Sequence, residues 1–385
     1  MKPTFREQHL FAFLDRFERE TKPLDLAIAD FFKSKKSLGS HDRRFIGDFA
    51  YALVRWKGLL SYLLGDAASW QERYRLFKTL DLDCLSSKTP EWVRSGASDW
   101  LYQEVLRSYG DGQAFSICRA LNDPAPLTVR ANPLKTTREH LLSLWKEKFG
   151  AAACPLTPNA IRFPKREPLT SLAEFKNGLF EIQDEGSQKV AYLVAARPGD
   201  QVLDYCSGSG GKTLAFAEKL QGKGQIYLHD IREEVLQQAK RRLRRAGVQN
   251  AQFLAPGHPR LFVLKNKMDW VLADVPCSGS GTYRRNPDMK WKANGEMLER
   301  LVLQQREIFS QALSYVKPGG KIVYATCSLF TAENREQVEF FLKTHPLELI
   351  GDPLSILPSR GGPDGFFAAV FSKKIALSDS MDKTS

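Results

Sequence analysis

Apolar residues change their spacing along the chain, and the changes divide it. Over roughly the first hundred residues they recur at three- and four-residue steps. Ile46, Phe49, Leu53, Trp56 and Leu60 form one stripe behind a Ser40 N-cap, which predicts a helix with a single buried face. Residues 1–122 are therefore expected to form a helical domain in which that stripe serves packing. From about Asp123 the texture shifts. Pro124-Ala125-Pro126 breaks the helices, residues 127–133 read as a short strand, and Thr136 or Thr137 can cap a helix over 138–149 that Gly150 ends. A small α/β unit is expected over 123–167.

Beyond Pro168, short apolar runs alternate with helical ones, the order that a parallel sheet with covering helices requires. Strands are predicted over 201–205, 225–230, 269–274 and 321–325, with a late strand over 365–371. Helices are predicted over 213–220, over 233–246 closed by Gly247, and over 296–316 ended by Pro318-Gly319-Gly320. The expected fold class is α/β, a Rossmann-like catalytic domain over 168–375, followed by a disordered tail over 376–385. No internal repeat or low-complexity block interrupts this plan.

Composition narrows the class. A chain of 385 residues with 43% hydrophobic content can fill the cores of two or three domains. A net charge of +12 favours a polyanionic partner, and nucleic acid suits it better than solubility alone. There is no apolar run of about 18 residues, and Met1 to Glu7 lacks a signal-peptide core, so a cytoplasmic monomer without membrane contact is expected. The six cysteines are scattered and none has zinc-ligand spacing, so neither a disulfide framework nor a metal site is expected. Cys84, Cys118 and Cys154 lie outside the sheet region and read as bystanders.

The chemistry concentrates at strand ends. Cys206, Ser207, Gly208, Ser209, Gly210, Gly211 and Lys212 form a Gly-rich turn between a strand and a helix, where backbone amides can approach a ligand. The turn is no phosphate loop, since Cys206 stands at the first required glycine, and Thr213 replaces the third glycine of the dinucleotide fingerprint. Asp230, ending the next strand, can take both ribose hydroxyls of an adenosine or else cap the following helix. A nucleoside cofactor without a pyrophosphate fits these residues, which points to S-adenosylmethionine. Cys277 and Cys327 each follow a predicted buried strand, one behind Asp274-Val275-Pro276 and the other behind Tyr324-Ala325-Thr326. Carbon 5 of cytosine is a poor nucleophile, and a thiolate adding to carbon 6 turns the ring into an enamine that can attack a sulfonium methyl group. Asp274 can absorb the charge that develops at ring nitrogen 3, and a second thiol can help expel the enzyme.

At these residues the chain resembles the Sun-type (Fmu) RNA cytosine-5 methyltransferases. The resemblance rests on the turn from Asp204 to Thr213, on Asp274-Val275-Pro276-Cys277-Ser278-Gly279 continuing through Arg284-Arg285-Asn286-Pro287-Asp288-Met289-Lys290-Trp291, and on Tyr324-Ala325-Thr326-Cys327-Ser328 with Glu333-Asn334. Gln183-Asp184-Glu185-Gly186-Ser187-Gln188 and Asp364-Gly365-Phe366-Phe367 are similar to the family's entry segment and final strand. It covers residues 124–374; upstream, Gly39 to Phe45 with Val54-Arg55-Trp56 is loosely similar to the NusB-like helical domain of bacterial ribosomal members.

The resemblance implies that Cys327 is the nucleophile, that Cys277 assists release, and that Cys206 to Lys212, Asp230 and Asp274 line the cofactor site. The Pro-Cys segment also resembles that of DNA cytosine-5 methyltransferases, where it carries the nucleophile, so the two roles can be exchanged. Two departures stand out. Ser209 replaces the family's usual proline, and residues 253–258 supply no acid for adenine. Arg284, Arg285, Lys290 and Lys292 flank the Cys277 loop and are expected to hold RNA phosphates around a flipped base; the helix carrying Lys240, Arg241, Arg242, Arg244 and Arg245 is a second candidate or a solvated face. The resulting expectation is S-adenosylmethionine-dependent methylation of RNA, ribosomal RNA before transfer RNA. A non-catalytic RNA-binding assembly factor is the alternative of a different class.

Overall fold

A computed structural model describes residues 3–375. The tail expected over 376–385 lies outside the described residues. The chain folds into two compact units. The helical unit comprises the chain up to Ala125 together with Ser280–Met297 and Pro358–Gly361. Its principal helix, Ser40–Arg55, starts behind Gly39 rather than Ser40, and turns at Trp56 (φ −104°, ψ 15°) into a second helix, Lys57–Leu64. The predicted stripe faces inward: Ile46, Leu53 and Leu60 are wholly buried against Leu10 and Leu14 of the first helix.

The segment Ser280–Met297 enters this unit through side chains that the sequence suggests are RNA contacts. Lys290 is buried, and its Nζ donates to the Gly96 carbonyl at 2.6 Å and to Asn122 Oδ1. Burial, and then the Arg55 guanidinium, holds its pKa well below the usual lysine range. Trp291 Nε1 donates to the Val54 carbonyl at 2.6 Å, and Arg55 donates to the Arg284 carbonyl at 3.0 Å. Arg284 is likewise buried and donates to the Ser359 carbonyl at 3.2 Å. The expectation of phosphate contact at Arg284 and Lys290 is thereby corrected, because buried donors bonded to main-chain oxygens are committed to packing. Arg285 and Lys292 remain exposed, the latter reaching Asp288 at 2.9 Å.

The second unit holds two sheets. The smaller is antiparallel and consists of β1 (Leu127–Ala131), β2 (Ala152–Ala153), β3 (Ala160–Phe163) and β4 (Phe180–Ile182), in the order β2-β3-β1-β4. Thr137 caps the helix Arg138–Phe149, and Gly150 closes it in the left-handed region, as predicted. That helix buries Trp145 against Phe163 and Phe180. The sheet extends past the expected boundary at residue 168, since β4 pairs with β1. Gly178, just before β4, packs so closely on the end of the helix Glu233–Ala246 that a Cβ there would collide with the Arg245 carbonyl.

The larger sheet contains β5 (Gln201–Asp204), β6 (Gln225–His229), β7 (Ala251–Leu254), β8 (Met268–Asp274), β9 (Val316–Thr326), β10 (Leu347–Leu349), β11 (Leu354–Ile356) and β12 (Phe366–Lys373). Its order is β10-β12-β9-β8-β5-β6-β7, with β11 also pairing β12. Strands β9, β8, β5, β6 and β7 run parallel, and β12 lies antiparallel to β9. This is the doubly wound arrangement predicted, with the switch in winding beside β5, where such sheets open a ligand crevice. Register places Asp204 opposite Leu228 and Leu272, and Asp274 opposite Ala325, so the functional strand ends share one edge.

Two predicted boundaries move. The long helix is Gly295–Leu313, and Pro318-Gly319-Gly320 falls inside β9, where the pairing with β8 slips between Met268 and Trp270. A Pro-Gly pair marks a bulge in a strand as readily as the end of a helix. The helix predicted over 213–220 is an α-helix only over Gly211–Phe216 and tightens into a 3-10 turn over Ala217–Leu220. Among the described residues, no helix is long and apolar enough to cross a membrane.

Candidate active site

The Gly-rich turn is shaped by its neighbours. Ser207 N–H donates to the His229 carbonyl at 2.9 Å, which carries the chain from the end of β5 across β6. Gly210 then adopts φ +76°, and a Cβ there would lie 2.9 Å from Leu243 Cδ1, so close helix packing requires glycine. Gly208 N–H donates to Asp230 Oδ2 at 2.9 Å, while Asp230 Oδ1 accepts from Arg232 N–H at 3.0 Å. Burial works against the Asp230 charge, but hydrogen bonds from Arg232 and Gly208 outweigh it and hold its pKa below the usual carboxylate value. Asp230 therefore braces the turn and starts the next helix as well as facing the cavity.

That cavity has a volume of about 460 Å³ and is bordered by Cys206, Gly208, Asp230, Ile231, Asp274 and Ile308. Ser207 and Ser209 line it too, whereas Gly210, Gly211 and Lys212 do not. Lys212 turns instead to Asp274, with Nζ donating to Oδ2 at 2.5 Å. Beneath the cavity, Asp204 is buried; its Oδ2 accepts from Thr213 Oγ1 at 2.6 Å, and its Oδ1 has no hydrogen-bond partner among the described residues. Burial pushes its pKa up to about 7, the charges of Asp274 and Asp230 add to the rise, and Thr213 and Lys212 oppose it.

The two thiols meet at the same edge. Cys277 Sγ lies 3.4 Å from Cys327 Sγ, and Cys327 N–H donates to Cys277 Sγ at 3.3 Å. They lie 50 positions apart in sequence, and the parallel pairing of β8 with β9 brings them together. The side-chain hydrogen bond with the Cys327 thiol, burial, and the charges of Cys327 and Glu333 all push the Cys277 thiol well up. On the Cys327 side lies Lys212, where burial works against the ammonium charge but the Asp274 carboxylate outweighs it and raises the pKa. Neither thiol is fully enclosed, so both are open to a reacting group. A pair of accessible sulfurs at a strand edge, near a cavity lined by Asp230 and Asp274, is an arrangement suited to covalent transfer chemistry.

Comparison with known proteins agrees with this geometry. A family model described as 16S rRNA methyltransferase RsmB/F matches residues 191–372, and a model of the RsmF/B-like ferredoxin-like domain matches residues 97–170. The ribosomal RNA small subunit methyltransferase B of Photorhabdus laumondii is 33% identical over 285 residues, which are 72% of this chain and 66% of that protein. The chain belongs to the RsmB/F methyltransferase family. A probable ribosomal RNA small subunit methyltransferase B of Synechocystis is 32% identical over 295 residues, 71% of this chain and 66% of that one. The chain thus spans 66% of the length of these relatives. A solved methyltransferase homologue from Pyrococcus horikoshii superposes with a TM-score of 0.65 at 28% identity, covering 75% of this chain and all of that one.

Within the RsmB/F family, the departure at Ser209 has a local explanation. Its hydroxyl and carbonyl accept from Arg242 Nη1 at 2.6 and 2.9 Å, and Arg242 in turn pairs with buried Glu181 at 3.0 Å. A side-chain tether thus holds the turn at Ser209. Arg245 pairs with the same Glu181, which removes both arginines from the basic run of that helix, while Lys240, Arg241 and Arg244 stay exposed. No sequence signal links Arg242 to Ser209 or Glu181. The segment 253–258 does not line the cavity; Ile231, Val275 and Ile308 with the Gln304 and Gln311 amides do. The first of the two matched spans begins at residue 97.

Proposed function

We propose that the protein methylates carbon 5 of cytosine in ribosomal RNA, with S-adenosylmethionine as methyl donor and a cysteine adduct as intermediate. The observation that carries this reading is the thiol pair, 3.4 Å apart, with Cys277 next in sequence to Asp274, Val275 and Pro276, which line the cavity. The cofactor fits the residues present: about 460 Å³ suits a nucleoside-sized ligand, Asp230 supplies a ribose acceptor, and the turn supplies peptide groups. Bound there, S-adenosylmethionine supplies an electrophilic methyl group.

The rest of the chemistry belongs to the chain. Cys327 as thiolate bonds to ring carbon 6, and the displaced electron pair moves toward nitrogen 3, where Asp274 with the adjacent Lys212 proton absorbs the charge. After carbon 5 has taken the methyl group, its proton passes to water, the ring double bond re-forms and Cys327 leaves as a thiolate, with the Cys277 thiol, 3.4 Å away, assisting by donating a hydrogen bond to the departing sulfur. The retention of both thiols supports an enzyme over a pure binder. The positive charge, with Arg285 and Lys292 exposed, supports an RNA substrate. The names of the curated relatives favour small-subunit ribosomal RNA.

Bisulfite sequencing of ribosomal and transfer RNA from cells with and without the gene tests the reading. One cytosine in small-subunit RNA is expected to lose its mark. A mark lost only from transfer RNA redirects the substrate, and none lost overturns the activity. Asp230→Ala is expected to weaken S-adenosylmethionine binding by about 1 to 3 kcal/mol through lost charge-assisted hydrogen bonds. Isothermal titration measures this, and unchanged affinity in a folded variant would leave Asp230 as a brace for the turn alone.

A further inference from the structure

One buried carboxylate at this edge has no place in the chemistry above. Glu333 ends the 3-10 turn Thr331–Glu333 and is fully buried. Both of its oxygens are taken up by the residues that follow the two cysteines. From the Cys277 loop, Ser278 N–H donates to Oε1 at 2.8 Å and Ser278 Oγ donates to Oε2 at 2.5 Å. From the Cys327 loop, Ser328 Oγ donates to Oε2, and the two serine hydroxyls lie 3.1 Å apart. The helix Gly295–Leu313 adds Gln305, whose Nε2 donates to Glu333 Oε1 at 2.8 Å and to the Pro276 carbonyl at 3.1 Å. Tyr324 OH donates to the Glu333 carbonyl at 2.7 Å.

Four donors therefore converge on one carboxylate from three separate elements. A carboxylate can accept them all, whereas a neutral amide of the same shape would turn its own donors against some of them. The charge faces Cys277, together with Cys327, the Tyr324 phenol and the opposing Gly279 N–H. Lys212 acts from the Cys327 side.

We propose that Glu333 is a positioning residue for the thiols: it locks the Cys277 loop to the Cys327 loop and holds a negative charge beside Cys277. This rests on the assignment of Cys327 as the attacking group, but its test needs neither RNA nor cofactor. The high thiol pKa that burial and these neighbours give Cys277 accords with the arrangement.

The experiment follows alkylation of Cys277 by iodoacetamide from pH 6 to 10, read by peptide mass spectrometry, in Cys327→Ser and in Cys327→Ser/Glu333→Gln. Removing the charge is expected to lower the pH midpoint and to speed alkylation at pH 8 on the order of tenfold. Superimposable profiles from two folded proteins overturn the proposal. Ser278→Ala/Ser328→Ala in the Cys327→Ser background keeps the charge and removes the hydroxyl contacts, so the midpoint is expected to stay in place. A midpoint that falls in this variant assigns the effect to loop packing and overturns the electrostatic role, and this holds even if E333Q does not fold. Failure of methylation with the predicted thiol profile intact would count against the proposed reaction and not against Glu333.

Discussion

Cys327→Ala is expected to abolish methyl transfer, with a loss on the order of 10⁴-fold or more, and to leave no protein–RNA species on a denaturing gel. Cys277→Ala is expected to fail in the opposite way. Supplied with cofactor and RNA, it should accumulate an adduct that survives denaturation, because on the proposed mechanism one thiol makes the bond and the other helps break it. The 3.4 Å separation of the sulfurs makes the contrast meaningful, since either could reach the same ring carbon. An adduct in Cys327→Ala and none in Cys277→Ala would exchange the two roles. None in any variant or in the unaltered protein would remove support for covalent catalysis.

Asp204→Asn is expected to make the protein more stable at pH 8 than the natural chain, by up to about 4 kcal/mol, and to change little at pH 4. The carboxyl ionises near 3.8 in an unfolded chain but at about 7 in the folded one, because burial penalises its charge. Between those values the folded state binds more protons than the unfolded state, so stability falls as pH rises through the window. Asparagine carries no charge to bury and escapes the loss, while its amide oxygen can still accept from Thr213. Thermal melts of both proteins from pH 4 to 8 give the comparison, in which other titrating groups cancel. Parallel melting curves across the range would show that Asp204 is solvated more fully than its burial indicates.

Much of the edge that carries the chemistry is readable in the sequence because strand ends and glycine turns are local signals. The helix Glu233–Ala246 has its predicted limits, and Asp204, Asp230, Asp274, Cys277 and Cys327 follow strands that do lie together. What escapes depends on partners distant in sequence. Nothing in Arg284-Arg285 or Lys290-Trp291-Lys292 tells which side chains turn inward; Gly96 and Asn122, 194 and 168 positions away, decide it for Lys290. Arg242 reads as one charge in a basic run, yet Ser209 and Glu181 make it part of the Gly-rich turn. Glu333 stands in the sequence as one letter of a motif, and its work appears only when both serines are in place. The short strands β2, β4, β10 and β11, with two or three residues each, carry too little alternation to be seen.

The helical unit is built from three stretches of chain, with one stretch lying between the two cysteines in sequence. Synthesis runs from the amino terminus, so the slot formed by Gly96, Asn122 and Val54 exists long before Lys290 and Trp291 can fill it. During that interval the Gly96 carbonyl, Asn122 Oδ1 and the Val54 carbonyl lack the donors that Lys290 and Trp291 bring. Translation thus couples the maturation of the helical part to that of the catalytic part: a chain interrupted before residue 290 leaves both unfinished and vulnerable to proteolysis.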